Sequence, residues 1–302
     1  MELADFCSTS RVVIVAGKGG VGKTTVTAAF AVAAAQSGRN VLIVEVEGRS
    51  GLTAAFGLPT LTYDEIELIP GVRARTLTPD AALTEYLRDH GMRRISKRLA
   101  SSGALDVVAT AVPGMKEILV LGKIKQLEMS RAADLIIVDA PAAGHAVSFL
   151  MSPAGLLDAV RIGPVRKQAQ DVVELLQHRK RCQVMLVTLP EETPVNELVD
   201  TAFALEDRVG LQLGPVVVNA CMEPPPVGRY EGDAIDPSLA GALEAACAFA
   251  GERFAMQQEQ IARLESRLPL PQLRLPLLSS ASIGRPEIDQ LAAAFAREVA
   301  RL

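Results

Sequence analysis

The 302-residue chain predicts an α/β fold, a mostly parallel β-sheet covered by helices on both faces. Three observations predict it. Short β-branched apolar runs alternate with helical patterns along the chain. Several of those runs are apolar at nearly every position, as strands buried on both sides must be. A glycine-rich turn also joins the first run directly to an apolar helix.

The first run, Val12–Ala16, ends at that turn. The following helix, from Gly22 to about Ser37, is apolar on most faces and so must be deeply packed, with Gly38 as its stop. Further strands are expected at Val41–Val46, Val72–Leu77, Leu135–Asp139, Gln183–Leu189, Pro215–Asn219 and Leu273–Leu277. Between Thr78 and Arg131 the strand signal disappears and helical patterning dominates, which reads as a helical subdomain inserted at residues 78–131. Cys221–Asp236 is rich in Pro and Gly and should be an extended surface loop. Leu239–Arg267 reads as helical. Pro286–Leu302 reads as a last amphipathic helix with Ile288, Leu291, Phe295 and Val299 on one face. There is no internal repeat, so the expected organisation is one domain over residues 1–302 carrying that insertion.

Composition narrows the function. Apolar residues make up 49% and charged residues 22%, which excludes a disordered chain. Aromatics are only 4% with no Trp, and 31 basic residues face 35 acidic ones, so neither base stacking nor a basic field points to nucleic acid. The four cysteines (Cys7, Cys182, Cys221, Cys247) form no CxxC pair, and neither zinc nor a disulfide framework is expected. Met1–Ser10 carries no signal pattern and no apolar stretch is long enough to span a bilayer, so the expected location is cytoplasmic.

The decisive element is Gly17-Lys18-Gly19-Gly20-Val21-Gly22-Lys23-Thr24-Thr25, which satisfies GxxxxGK[ST] between a strand and a helix. Its glycines allow a tight loop whose backbone N–H groups turn toward a phosphate, and the helix adds the positive end of its dipole. In that pattern Lys23 neutralises β- and γ-phosphate charge, and the Thr24 hydroxyl completes a Mg²⁺ shell. A carboxylate at the end of an apolar strand beside such a loop, here Asp139, can hold a Mg²⁺-bound water. A phosphate-bearing nucleotide and Mg²⁺ are the expected ligands.

Lys18, a second lysine just after the first glycine, makes this loop resemble the deviant Walker A loop. That loop marks the family of arsenite-pump ATPases, tail-anchored-protein targeting ATPases, and division-site and chromosome-partitioning ATPases. The resemblance implies a P-loop fold and a nucleotide-sandwich dimer in which Lys18 reaches the partner's phosphates; the alternative is a solvated loop charge. Asp139-Ala140-Pro141-Ala142-Ala143-Gly144-His145 resembles the switch II sequence Asp-Thr-Ala-Pro-Thr-Gly-His of the arsenite-pump and targeting branch. It matches at Asp139, Gly144 and His145 and lacks both threonines. His145 reads equally as a capped or core histidine. Pro113-Gly114-Met115-Lys116-Glu117 and Val187-Thr188-Leu189-Pro190-Glu191 resemble two further stretches of that branch.

Switch I departs most. Val41–Leu52 aligns without gaps to the family's strand followed by Ser-Thr-Asp-Pro-Ala-His-Ser-Leu, so the aspartate that positions the attacking water falls on Glu47. The extra methylene moves the carboxylate, and a displacement of about 1 Å can cost on the order of 100-fold in rate; Glu47 then positions water slowly, serves only Mg²⁺ or dimer contacts, or is a solvated loop charge. The resemblance implies that Asn219, ending its strand, contacts the purine, a turn-forming role being the alternative, and that Pro276 lies in the stretch lining the adenine. Met222 stands where a guanine reader would need a carboxylate, which favours ATP over GTP. Cys221 alone cannot form the zinc clasp of targeting ATPases, and Met92, Met115, Met129 and Met151 are scattered, not striped as in a client groove. Two function classes remain. One is an ATP-hydrolysing dimeric switch, homodimeric or paired with a related ATPase, acting on an unknown client or membrane partner. The other is a weakly hydrolysing or non-hydrolysing regulatory subunit of a heterodimer.

Overall fold

The structure, a computed structural model, describes residues 1–46, 51–89, 114–141, 143–225 and 237–302. Among these the strands are β1 (Val12–Gly17), β2 (Val41–Val46), β3 (Ile66–Ile69), β4 (Val72–Leu77), β5 (Leu135–Asp139), β6 (Cys182–Thr188), β7 (Val216–Cys221) and β8 (Gln272–Pro276). The helices are α1 (Leu3–Phe6), α2 (Lys23–Gln36), α3 (Pro79–Asp89), α4 (Met115–Met129), α5 (Ala143–Ala159), α6 (Pro164–Gln177), α7 (Glu192–Val209), α8 (Pro237–Arg267) and α9 (Arg285–Ala300). One sheet runs β3-β4-β2-β5-β1-β6-β7-β8. All its neighbours are parallel except β3 and β4. The predicted α/β class holds.

Binary patterning explains the two covered faces. β1, β2, β5 and β6 are buried at every position, as alternate residues go to opposite cores. One core joins Ile14, Leu42 and Ile136 to Ile118 and Leu121 of α4, Leu150 of α5, Val172 of α6 and Val199 of α7. The other joins Val13, Ile43 and Ile137 to α2 and α9. The all-round apolar character read in α2 corresponds to an unbroken buried run from Val26 to Ala34. Its alanines let the helix lie close to the sheet.

The predicted α9 stripe is buried at Ile288, Leu291, Phe295 and Val299. Phe295 stacks on Phe30 of α2 with ring centroids 4.8 Å apart, and Phe6 meets both rings edge-on at 5.8 and 5.9 Å. This trio fastens the chain's two ends to α2.

The sequence reading omitted β3. It is a four-residue antiparallel edge strand with a mixed burial pattern, too short for a period-2 signal. Its hairpin partner follows Pro70-Gly71, a turn signal that marks the pair. β7 also runs to Cys221, two residues past the expected end. Of the segment 78–131, Pro79–Asp89 and Met115–Met129 are helical and residues 90–113 lie outside the described residues, as do residues 226–236 of the expected Pro- and Gly-rich loop.

Phe295→Ala should lower the unfolding free energy by about 3–5 kcal/mol in a denaturant titration, the range for emptying a packed aromatic site. A loss below about 1 kcal/mol would show that the aromatic trio does not anchor α2.

Candidate active site

In this sheet order β1 lies between β5 and β6, so the chain winds away in both directions from it, and the crevice at its carboxyl end is where open α/β sheets take ligands. The loop from Gly17 to Gly22 fills that position. A Cβ on Gly17 would sit 2.3 Å from the Val187 carbonyl oxygen of β6. Gly22, the N-cap of α2, has φ +87°, and a Cβ there would sit 2.3 Å from Nδ2 of Asn219. Glycine is required at both places. The Asn219 amide nitrogen also donates to the Val21 carbonyl at 3.0 Å, while Val21 itself is buried. Strands β6 and β7 therefore grip the loop, leaving Gly19 and Gly20 exposed at its tip. The N-terminus of α2 has no side-chain cap and no acid in its first turn, so its dipole and amide groups are left for an anion.

Three polar side chains converge on this helix end. The Thr24 hydroxyl donates to Asp139 Oδ2 at 2.7 Å, which joins α2 to the end of β5. A hydroxyl that donates its proton keeps its lone pairs available as a ligand. A hydroxyl and a carboxylate oxygen side by side fit Mg²⁺, which takes hard oxygen donors and draws most of its shell from phosphate and water. The Lys23 ammonium donates to the Lys18 carbonyl oxygen at 3.0 Å. Burial pushes its pKa down, and the nearby Asp139 carboxylate opposes that shift. Thr25 follows in the first turn of α2, half-buried.

Lys18 and Lys23 are not aimed alike. The Lys18 ammonium lies 2.6 Å from Oε1 of Glu197 on α7, in a half-exposed ion pair within the chain. Pro276 ends β8, opposite Cys221. Glu47, with Gly48, Arg49 and Ser50, lies outside the described residues, as does Ala142 of the switch II stretch; Gly144 and His145 fall in the first turn of α5.

Three relevant residues escaped the sequence reading. Gln257 of α8 is buried, accepts from the Met222 backbone N–H at 2.8 Å and donates to the Ala220 carbonyl at 3.3 Å, bracing the turn after Asn219 where Ala220 has φ +57°. Glu197 is the partner of Lys18. Glu45, in an otherwise apolar strand, is buried beside Asp139 in the sheet register. No local pattern marks the first two, because the pairing is tertiary; a charged residue inside an apolar strand was a visible signal for the third.

Gly22→Ala should abolish ATP binding in a calorimetric titration while the far-ultraviolet circular dichroism stays that of the wild type, because the strain is confined to the loop. Wild-type affinity in that variant would contradict the grip described here.

A model of the anion-transporting ATPases matches residues 10–167. ATPase BagA of Mycobacterium tuberculosis is 33% identical over 300 residues, covering 89% of this chain and 88% of that protein. ATPase get3 of Schizosaccharomyces japonicus is 30% identical over 167 residues, 52% of this chain and 50% of its own length. The arsenical pump-driving ATPase of Escherichia coli is 28% identical over 232 residues, 68% of this chain but 38% of that longer protein. Similar along most of its length to one of these ATPases and matched by the family model over more than half of it, the chain belongs to the anion-transporting ATPase family and is an ATP-binding ATPase.

Proposed function

We propose that this ATPase is a magnesium-dependent dimeric switch, in which ATP closes two subunits together and hydrolysis releases them, coupling nucleotide state to a client or membrane partner. The observation that carries the reading is the Thr24–Asp139 contact beside the uncapped N-terminus of α2, with the Lys23 ammonium on the same loop. Loop amides and Lys23 bind and orient the β- and γ-phosphates, and Thr24 and Asp139 hold Mg²⁺, Asp139 through water. When bound, Mg²⁺ supplies neutralisation of the phosphate charge. Gly17, Gly19, Gly20, Val21, Gly22 and Thr25 shape the cradle. Phosphoryl transfer to water then needs a positioned water, the role proposed for Glu47.

The base is assigned to the β7–β8 end, with Asn219 and Pro276 beside it. One amide hydrogen of Asn219 is used on Val21, which leaves its carbonyl oxygen and second hydrogen for a purine edge. Met222 offers no carboxylate to guanine, so ATP is the nucleotide. Lys18 is proposed to leave Glu197 and complete the partner's site. Dimer formation with itself or with a related ATPase, a cytoplasmic location and a helical subdomain inserted at 78–131 complete the reading. Among the described residues no helix is long and apolar enough to cross a membrane. One sequence feature favours a second reading, a slow regulatory subunit: Glu47 stands where the aligned pattern has Asp.

Sedimentation velocity with a non-hydrolysable ATP analogue and Mg²⁺ tests the first reading. Wild type should shift from monomer to dimer, whereas Lys18→Ala should stay monomeric yet bind nucleotide within about threefold of wild-type affinity. Dimers of undiminished stability in Lys18→Ala would overturn the cross-subunit role. Glu47→Ala should lower turnover at least tenfold; unchanged turnover overturns the water-positioning role of Glu47.

A further inference from the structure

Glu45 has no part in the roles assigned above. Along β2 it is the only charged residue, and it is 3% exposed. Leu42, Val44 and Val46 enter the core shared with α4 to α7, while Val41 and Ile43 enter the core shared with α2. Alternation therefore sends Glu45 to the α2 side. Leu135 and Ile137 place Asp139 on that same side, consistent with its contact to Thr24 of α2. Glu45 and Asp139 are paired directly across the parallel β2–β5 ladder, so their backbones are about 4.8 Å apart. Asp139 is 4% exposed. Two acidic side chains thus lie next to each other at the carboxyl ends of adjacent strands, in a buried setting, on the face that carries the phosphate loop.

Negative charge there acts oppositely on the two forms of the nucleotide. It repels free ATP, whose phosphates carry the anionic charge to the same crevice, and it attracts a divalent cation. Like charges held together away from water are stabilised most by a cation between or beside them. Glutamate also reaches one methylene further than Asp139 from an equivalent strand position, which suits contact with the metal's water shell.

We propose that Glu45 is a positioning residue of the magnesium–nucleotide site, a second carboxylate that makes ATP binding depend on magnesium. The inference rests on the reading of Thr24 and Asp139 as the residues that hold magnesium, Asp139 through water. It differs from that reading in assigning the coupling between metal and nucleotide, not the metal contact alone, to β2.

The test is the affinity for a fluorescent non-hydrolysable ATP analogue, measured with excess Mg²⁺ and with excess EDTA, in wild type, Glu45→Gln, Glu45→Ser and Glu45→Asp. Removing the charge should tighten magnesium-free binding several-fold and weaken magnesium-bound binding, shrinking the ratio of the two affinities by about tenfold, while Glu45→Asp keeps most of it. Mn²⁺ affinity of the nucleotide-loaded protein, read by electron paramagnetic resonance, should fall about tenfold in Glu45→Gln. Two neutral variants guard against one that fails to fold. A ratio within twofold of wild type in the folded neutral variants overturns the inference. Asp139→Asn separates the two levels. If it collapses the ratio while the Glu45 variants keep it, only the role of Glu45 falls; if it too leaves the ratio unchanged, the magnesium reading itself falls.

Discussion

The contact between the Thr24 hydroxyl and the Asp139 carboxylate is the constraint around which the site is organised. It ties the first turn of α2 to the end of β5, one strand away from the strand that delivers the loop. The helix N-terminus is thereby held at the carboxyl end of the sheet, where its dipole and amides face outward. That position requires α2 to lie against the sheet along its length, which its alanines allow and the Phe6–Phe30–Phe295 cluster secures from the outer side. Local sequence, core packing and site geometry are thus one chain of causes.

Energetically the site is a compromise. Burial disfavours the Lys23 ammonium and Asp139 offsets part of that cost, so the loop carries a cation whose charge is only partly compensated. In the proposed function a triphosphate supplies the remaining counter-charge. The Lys18–Glu197 pair is of a different kind. Both side chains are half-exposed, and such pairs contribute about 0–1 kcal/mol. That is too little to hold Lys18 against a multiply charged phosphate group, so the intrachain contact is compatible with the proposed movement of Lys18 to a second subunit.

The fold was largely legible because its strands are double-sided and its first helix is apolar all round, signals that do not depend on long-range detail. β3 was missed because four residues of mixed burial at a sheet edge carry little pattern. In the candidate site, Gly17 to Thr25 and Asp139 lie together because strand, loop and helix are contiguous and β5 is adjacent to β1. Other features could not be read locally. Asn219 was assigned to the base, and it also props the loop through Val21, an arrangement created by the 198-residue separation closing in space. Gln257 and Glu197 act from helices whose docking angle no local spacing encodes. Glu45 was readable as an anomaly, but its meaning depends on register with Asp139.

In the proposed function the loop after β1 and the pair Thr24–Asp139 form one receptacle for a metal-bound triphosphate. The most direct measurement is a crystal structure of the full chain grown with Mg²⁺ and a non-hydrolysable ATP analogue. Phosphate density enclosed by residues 17–25, with a metal ion beside Thr24 and Asp139, is the expected result. Nucleotide bound elsewhere, with that loop empty, would contradict it.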